Sequence, residues 1–167
     1  DAFNLKNTNH YHNLSYREYL GGGWKLNAGL SLTNNKDDIS GSLQNDGEKK
    51  VSLQGLETKN FQLENKSSYA NAKLVLEKKL TGLSALRFGS EYNYSNEKPT
   101  YTLFTGEEIE GTVKESIAAL FAESDIYVTN QIAAKIGARA EHSKILDKVN
   151  LAPRISLAYK LSERSQA

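Results

Sequence analysis

The stretch Trp24-Lys25-Leu26-Asn27-Ala28-Gly29-Leu30-Ser31-Leu32-Thr33 decides the fold of this chain. Every even position in the stretch is apolar, and every odd position is polar or glycine. Because successive side chains of a β-strand point to opposite faces of a sheet, the stretch predicts a strand with one apolar face and one polar face. A soluble strand is usually about 5–6 residues long, whereas a tilted strand needs about 9–11 residues to cross a bilayer. The length of the stretch therefore favours a membrane-spanning strand.

The same alternation recurs along the chain and predicts about seven strands. They cover approximately residues 11–20, 24–33, 67–80, 85–95, 115–128, 132–142 and 150–161. Short turns alternate with longer polar loops, of which the two longest span residues 34–66 and 96–115. Outer-membrane barrels place tight turns on the periplasmic side and longer loops outside. The predicted fold class is all-β, with antiparallel up-and-down strands that form part of a transmembrane β-barrel, about seven strands of a larger barrel.

The composition excludes several classes of protein. The chain has 167 residues, with 21 Lys plus Arg against 20 Asp plus Glu, and it has no cysteine. The absence of cysteine excludes disulfide scaffolds, thiol nucleophiles and thiolate metal sites. The near-balance of charge provides no field that would gather nucleic acid, so no nucleic-acid partner is predicted. These averages resemble those of a soluble domain, but they conceal the division of the strands into an apolar face and a charged face.

The polar face of the predicted strands carries many charged side chains. They are Lys73, Glu77, Arg87, Glu91, Glu123, Asp125, Lys135, Arg139, Glu141, Arg154 and Lys160. A Lys or Arg on the lipid side of a barrel costs about 2–4 kcal/mol at the bilayer midplane, whereas on the lumen side it reaches water or an opposite charge. We therefore expect these residues to line the lumen as cross-strand ion pairs. Aromatic girdles are expected near the short turns and near the long loops, formed by Tyr19, Trp24, Tyr159, Tyr69, Tyr92 and Tyr94.

Three motifs follow one another in the C-terminal half of the chain. The first is Phe121-x-Glu123-x-Asp125, and the second is Gly137-x-Arg139-x-Glu141. The third is Asn150-Leu151-Ala152-Pro153-Arg154-Ile155-Ser156-Leu157-Ala158-Tyr159. Together these motifs resemble the barrel of TonB-dependent receptors, and most of all the outer-membrane β-barrel proteins of the Bacteroidetes type. Residues 115–162 carry most of this resemblance.

The resemblance implies a non-enzymatic receptor in the cell outer membrane. Such a receptor has a barrel of about 22 strands around a plug and takes up a scarce nutrient, such as a ferric chelate or a glycan-type ligand. Its implied partners are the lipid bilayer, the plug domain and remaining barrel strands, a TonB-type energy-coupling protein and a small extracellular ligand. We expect residues 1–167 to be one partial barrel domain, without a plug, from a longer protein. Ligand contacts are expected on the loops at 34–66 and 96–115.

Two groups of possible metal ligands are better explained as surface residues. His10 and His12 share a strand face, but two imidazoles without a third ligand are insufficient for a metal site. The acidic residues Glu107, Glu108, Glu110 and Glu115 lack the spacing of oxygen ligands that a calcium loop requires. No metal or cofactor is predicted.

Two further motifs are also interpreted as structural. Gly21-Gly22-Gly23 is predicted to be a tight turn, because no helix follows it whose amides could bind phosphate. Glu123 and Asp125 are two residues apart on the polar face, and Arg139 and Glu141 are expected across from them. This arrangement favours an ion-pair ladder over a catalytic pair of carboxylates, so no catalytic residue is predicted.

Two alternatives remain open at the level of the sequence. One is a soluble all-β binding module, such as a lipocalin-like barrel or an adhesin-like sandwich, which would bury its apolar face. The other is an outer-membrane hydrolase of barrel form, although no active-site residues are visible. Leu26, Leu30, Leu120 and Ile136 distinguish the membrane barrel from the soluble module, because they point outward in the first and into a closed core in the second.

Overall fold

The structure is a computed structural model that describes residues 1–129, 131–162 and 165–166. Its strands are β1 (Ala2–Gly21), β2 (Trp24–Ser42), β3 (Phe61–Lys79), β4 (Ala85–Thr102), β5 (Glu108–Glu110), β6 (Val113–Tyr127), β7 (Ile132–Ser143), β8 (Lys148–Ser162) and β9 (Ser165–Gln166). A single turn of 3-10 helix covers Glu57–Lys59 within the described part of the chain. Among the described residues, no helix has the length and apolarity needed to cross a membrane.

All the strands belong to one sheet, in the order β1-β2-β3-β4-β6-β7-β8-β9, with the short β5 paired to β4. Neighbours in the sheet are thus neighbours along the chain, which is the up-and-down arrangement. In the part of the chain that the structure describes, β1 and β9 stand at the two ends of this order and do not pair with each other. The predicted all-β, antiparallel, up-and-down fold is confirmed.

Several strands extend further into the polar segments than the sequence pattern predicts. β2 continues to Ser42 and β3 begins at Phe61, within the predicted loop 34–66. Similarly, β1 begins at Ala2 and β4 continues to Thr102. The even-numbered face of these extensions is polar and the odd-numbered face carries only scattered apolar residues, such as Leu5, Ile39 and Leu63, so the alternation that reveals a half-apolar strand is weak there. The backbone nevertheless continues to pair, and polar side chains such as Ser68 and Asn34 join across the strands at 2.9 Å.

Tight turns join the strands where glycine supplies a backbone conformation that other residues rarely adopt. Gly21, Gly22 and Gly23 have φ angles of 85°, 56° and 81°, so all three lie in the left-handed region. This turn connects β1 to β2, as predicted for these glycines. Gly23 O then accepts a hydrogen bond of 2.8 Å from Lys79 N, which begins the pairing of β2 with β3.

The register of the C-terminal strands places apolar residues opposite apolar residues on one face and keeps the charged residues together on the other. Leu120 pairs with Ala140, and Ala140 pairs in turn with Leu151. On the other face Asp125 pairs with Lys135. The apolar and charged faces that the sequence predicts are therefore continuous across β6, β7 and β8.

The apolar face is not covered by any part of the chain that the structure describes. Leu30 is 42% exposed, Leu120 is 67% exposed and Ile136 is 48% exposed, while Leu26 is half-buried. Buried apolar residues in the described ranges are confined to Leu43, Ala85 and Ala119. A soluble lipocalin-like barrel or sandwich would enclose such leucines and isoleucines in a core. Their exposure is what a lipid-facing surface requires.

The chain divides into two compact units. The first comprises Asp1–His12, Leu32–Ala70 and Ser95–Lys114, and it contains both long loops. The second comprises Asn13–Ser31, Asn71–Tyr94 and Glu115–Ala167, and it contains the short turns and the C-terminal strands.

Candidate functional site

The charged face of the second unit forms a continuous lattice of ion pairs. Lys25 Nζ lies 2.8 Å from Glu77 Oε1, and Arg87 Nε lies 2.7 Å from Glu77 Oε2. Arg87 also donates through Nη1 to Asp125 Oδ2 at 2.5 Å. These contacts link β2, β3, β4 and β6. We call the paired charges of this face the ion-pair lattice; its members are Lys25, Lys73, Glu77, Arg87, Glu91, Glu123, Asp125, Lys135, Arg139, Glu141 and Arg154.

The lattice continues through the C-terminal strands. Lys135 Nζ lies 3.9 Å from Asp125 Oδ1 and 3.4 Å from Glu123 Oε2. Arg154 Nη1 lies 3.5 Å from Glu123 Oε1. Acidic and basic groups thus alternate from β2 to β8, and each carboxylate has a cationic neighbour.

A second row of the lattice is centred on Arg139. Its guanidinium contacts Glu91 Oε2 through Nη1 and Glu141 Oε2 through Nε, each at 3.1 Å. Lys73 Nζ lies 3.9 Å from the same Glu91 carboxylate. Arg139 on β7 reaches Glu91 on β4 although β6 lies between these strands. The intervening strand carries the small residue Ala119, which is only 4% exposed and leaves room for the long side chains.

Two glycines make space for the lattice. A Cβ at Gly89 would collide with the ring of Phe121, so this ring covers the glycine. A Cβ at Gly137 would lie 2.9 Å from Cγ of Glu123 and 3.0 Å from the carbonyl oxygen of Ala122. Gly137 also pairs with Arg154, so the absence of a side chain lets Arg154 extend over it towards Glu123. The packing of the Phe121 ring over Gly89 explains why an aromatic residue lies on an otherwise charged face.

Exposure on the two faces is the reverse of that in a soluble protein. The side chains of Glu123 and Arg139 are only 16% and 19% exposed, whereas Leu120 and Ile136 are largely open. Each partly dehydrated charge has an opposite charge within reach, which offsets the cost of its reduced hydration. Individual pairs of this kind contribute about 0.2–1 kcal/mol, so the lattice organises the face more than it stabilises the fold.

The structure brings together residues of all three sequence motifs. Phe121 and Glu123 of the first motif, Gly137 and Arg139 of the second, and Arg154 of the third lie on this one face. The expectation that Arg139 and Glu141 lie across from Glu123 and Asp125 is wrong. Because the register sets Gly137 and Lys135 opposite that pair, Arg139 lies opposite Phe121 and Glu141 opposite Ala119. The ion-pair interpretation of the two carboxylates is unaffected, since both have cationic partners.

The histidines and the acidic loop residues do not assemble into a site. In the described part of the chain, no group of three or more His, Cys, Asp or Glu side chains is arranged to hold a metal ion. His142 Nε2 lies 3.4 Å from Asp147 Oδ1 in the turn between β7 and β8. Glu115 accepts hydrogen bonds from Ser143 Oγ at 3.2 Å and from Ile145 N at 3.4 Å, which explains its place beside that turn.

The first unit contains a polar pocket of ≈ 470 Å³ between its loops. Its lining includes Ser40, Gly41, Ser42, Lys50, Asn60, Phe61, Gln62, Thr102, Leu103, Phe104 and Gly106. Phe61 stacks on Tyr101 with ring centroids 5.9 Å apart and planes inclined by 16°. Asn60 is buried and fixes the loop, because it accepts from Leu43 N at 3.0 Å and donates to Val51 O at 2.9 Å. All of these lining residues fall within the segments 34–66 and 96–115, on which the sequence predicts ligand contacts, but the sequence pattern does not show which of their side chains meet.

The first unit also carries a charge cluster on the even-numbered positions of β2 and β3. Glu64 accepts from Lys36 Nζ at 2.5 Å and from Lys66 Nζ at 2.6 Å. These two hydrogen bonds, of which the one from Lys36 has the larger effect, lower the pKa of Glu64 to about 2. The same contact with Glu64 raises the pKa of Lys36. Glu64 therefore stays ionised and bridges two lysines throughout the neutral pH range.

A single up-and-down sheet with an open apolar face and a paired-charge face is the wall of an outer-membrane β-barrel. The family described as TonB dependent receptor-like, beta-barrel matches residues 1–166, and the chain belongs to this family. No curated protein and no solved structure matches the chain. The family comprises receptors and transporters of the Gram-negative outer membrane and is not an enzyme family. The predicted family and location are confirmed, while the Bacteroidetes type stays a prediction.

Proposed function

We propose that this chain forms part of the wall of a TonB-dependent importer that takes up a glycan-type nutrient. The observation that carries the proposal is the exposure pattern of the second unit, in which Leu120 is 67% exposed while Glu123 and Arg139, at the centre of the lattice, are only 16% and 19% exposed. On this proposal the apolar face meets lipid, and the ion-pair lattice lines the lumen, where it faces water and the plug. Energy coupling through a TonB-type protein is expected of the complete receptor.

The apolar part of β2 has the length that this placement needs. Even positions are apolar from Trp24 to Leu32 and polar at Asn34 and Lys36. Nine residues at about 3.3 Å each span about 30 Å along the strand, and a tilt of about 40° reduces this to a height of about 23 Å. The apolar band of outer-membrane barrels is about 25 Å tall. The hydrogen bond between Asn34 and Ser68 then marks the outer border of the membrane.

The chemistry of the polar pocket favours a glycan as the ligand. Five of the eleven lining residues carry a hydroxyl or amide side chain, and Phe61 and Phe104 add apolar ring surface of the kind on which sugar rings pack. Pockets of this mixed character orient a ligand by a few placed polar groups. A ferric chelate is the second candidate, because Lys50 would provide a cation for an anionic chelate.

Lysine substitutions on adjacent residues test the membrane placement. Leu30→Lys puts a charge on the proposed lipid face, where we expect a loss of about 2–4 kcal/mol in the free energy of unfolding. Ser31→Lys is the matched control, because Ser31 lies at nearly the same depth on the opposite face and the register that sets Asn34 beside Ser68 puts it across from the neutral Asn71. The measurement is urea unfolding of the full-length receptor in detergent micelles. Equal effects of the two substitutions would refute the placement, as would a receptor that is monomeric in water without detergent.

Aromatic substitutions test the ligand class. Calorimetry of the full-length receptor with a panel of neutral oligosaccharides and a panel of ferric chelates should give heat only with an oligosaccharide. Phe61→Ala should weaken that binding about fivefold or more, since an aromatic contact of this kind is worth about 1 kcal/mol. Tyr92→Ala is the control, because Tyr92 is an exposed residue of β4 that does not line the pocket. Binding of a ferric chelate alone would assign the receptor to the second candidate.

A further inference from the structure

We infer that the first unit has a binding surface for the phosphorylated headgroup of an outer-leaflet lipid. This surface, the lysine row, consists of Lys36 on β2, Lys66 on β3 and Lys98 on β4. Each lysine lies two residues beyond the neutral polar residue that ends the apolar even-numbered positions of its strand. Those neutral residues are Asn34, Ser68 and Asn96. The inference rests on the membrane placement proposed above.

The register of the strands makes the lysine row continuous. Ser68 Oγ contacts Asn34 Oδ1 at 2.9 Å, so two residues further along these antiparallel strands Lys36 lies across from Lys66. On the next pair of strands, Asn71 Nδ2 contacts Asn93 Oδ1 at 2.6 Å. The same register continued along β3 and β4 places Lys66 across from Lys98. Three lysines on three adjacent strands therefore share one row and one face. 

Lysines directly opposite each other repel and destabilise a sheet, so the stability of the sheet does not explain the lysine row. Glu64 offsets part of this repulsion by bridging Lys36 and Lys66, and Asp38 lies 3.4 Å from Lys36. Asp38 and Glu64 each lie two residues further along their strands from the apolar positions than the lysines do. Lys98 is exposed, and among the described residues it has no carboxylate within 4.0 Å. The side of the row nearest the apolar positions therefore stays positive.

A lipid phosphate matches this surface in charge and in position. The row follows directly after the apolar positions on the same strand face, at the long-loop ends of the strands. In an outer-membrane barrel these ends lie at the outer leaflet. A lysine near a membrane surface attracts anionic headgroups with about 1 kcal/mol, or about fivefold in affinity. Lysine binds phosphate as a point charge, so a row of three suits a headgroup that carries several phosphates.

The test compares lipid A with lipid A from which the phosphates have been removed. Each lipid is titrated into the full-length receptor in non-ionic detergent, and bound lipid is measured by native mass spectrometry. The wild-type receptor should bind intact lipid A at least tenfold more tightly than the dephosphorylated form. Lys66→Gln with Lys98→Gln should remove most of that preference, with about fivefold loss per lysine. Inorganic phosphate at the same concentration should not compete.

Matched variants separate a loss of charge from a loss of structure. Lys66→Arg with Lys98→Arg keeps the charge and should keep the preference. Lys144→Gln with Lys148→Gln removes two exposed lysines near the turn between β7 and β8 and should have no effect. The inference is overturned if the Lys66 and Lys98 glutamine variant retains the preference, if the arginine variant loses it, or if inorganic phosphate displaces the lipid. The membrane placement is judged separately by the lysine substitutions at Leu30 and Ser31, which leave the row intact.

Discussion

Substitution of Gly89 should have opposite effects in the presence and in the absence of the Phe121 ring. A Cβ at Gly89 would meet three atoms of that ring (Cζ, Cε1 and Cε2) at distances shorter than carbon atoms tolerate. The ring must therefore move, and overpacking of this kind costs about 1–3 kcal/mol. Without the ring the only remaining term is backbone entropy, for which alanine is better than glycine in a strand by about 0.5–1 kcal/mol.

The expected result is a change of sign. Gly89→Ala should lower the free energy of unfolding by about 1–3 kcal/mol in the wild-type receptor and raise it by about 0.5–1 kcal/mol in a Phe121→Ala background. The coupling between the two sites is then about 1.5–4 kcal/mol, which is the sum of the two magnitudes. Phe121→Ala alone should be destabilising, because it uncovers Gly89 and removes the ring beneath Lys73 Nζ, now 5.7 Å from the ring centroid.

The assay is urea unfolding of the four full-length proteins in detergent micelles, followed by tryptophan fluorescence. The four proteins are the wild type, the two single variants and the double variant, so they form a double-mutant cycle. Additive effects, with Gly89→Ala equally destabilising in both backgrounds, would refute the packing of Phe121 over Gly89. They would also remove the explanation for an aromatic residue on the charged face.

Two further predictions concern Gly137 and Glu64. Gly137→Ala should destabilise the receptor by about 1–3 kcal/mol. Glu123→Ala should not rescue it, because the carbonyl oxygen of Ala122, 3.0 Å from the new Cβ, remains in place; rescue in the same urea assay would contradict this. The folded pKa of Glu64 is lowered from 4.5 to about 2, so its pairing contributes stability that is full above pH 4.5 and is lost as the pH falls through about 2. The stability difference between wild type and Glu64→Gln should therefore be constant through the neutral range and shrink below pH 4.5, and a difference that grows on acidification would contradict the pairing with Lys36 and Lys66.

The sequence predicts the membrane part of the fold well because its two faces differ in chemistry. Trp24 to Thr33 alternates at every position, as expected of a strand with one face toward lipid on the proposed placement. The polar extensions were harder to predict, because neither face of residues 34–42 is apolar and the period-two signal is absent. The pairing there depends on hydrogen bonds between backbone groups and between side chains such as Asn34 and Ser68, which no hydrophobic pattern reports.

The candidate site was predictable only in part for a similar reason. The charges of the lattice could be assigned to one face by parity, but their partners depend on register. The alternation of the sequence shows which face each residue lies on, but it does not change when one strand slides past the next by two residues. The alternation alone therefore could not show that Arg139 lies opposite Phe121. Asn60, Phe61 and Tyr101 meet only after two long loops have folded, so nothing local in the sequence brings them together.

The need to exclude registers that differ by two residues explains why the charged face carries so many specific contacts. A soluble sheet fixes its register by packing its apolar side chains against a core. On the proposed placement the apolar face of this sheet meets fluid lipid, so moving Leu120 to the depth of Ala122 would cost little free energy. The charged face is thus the one surface that can distinguish the correct register from its neighbours two residues away. Phe121 fits over Gly89 in only one register, because a shift of two positions would set the ring against Arg87 or Glu91 instead. The motifs that identify the family are therefore those that align its strands.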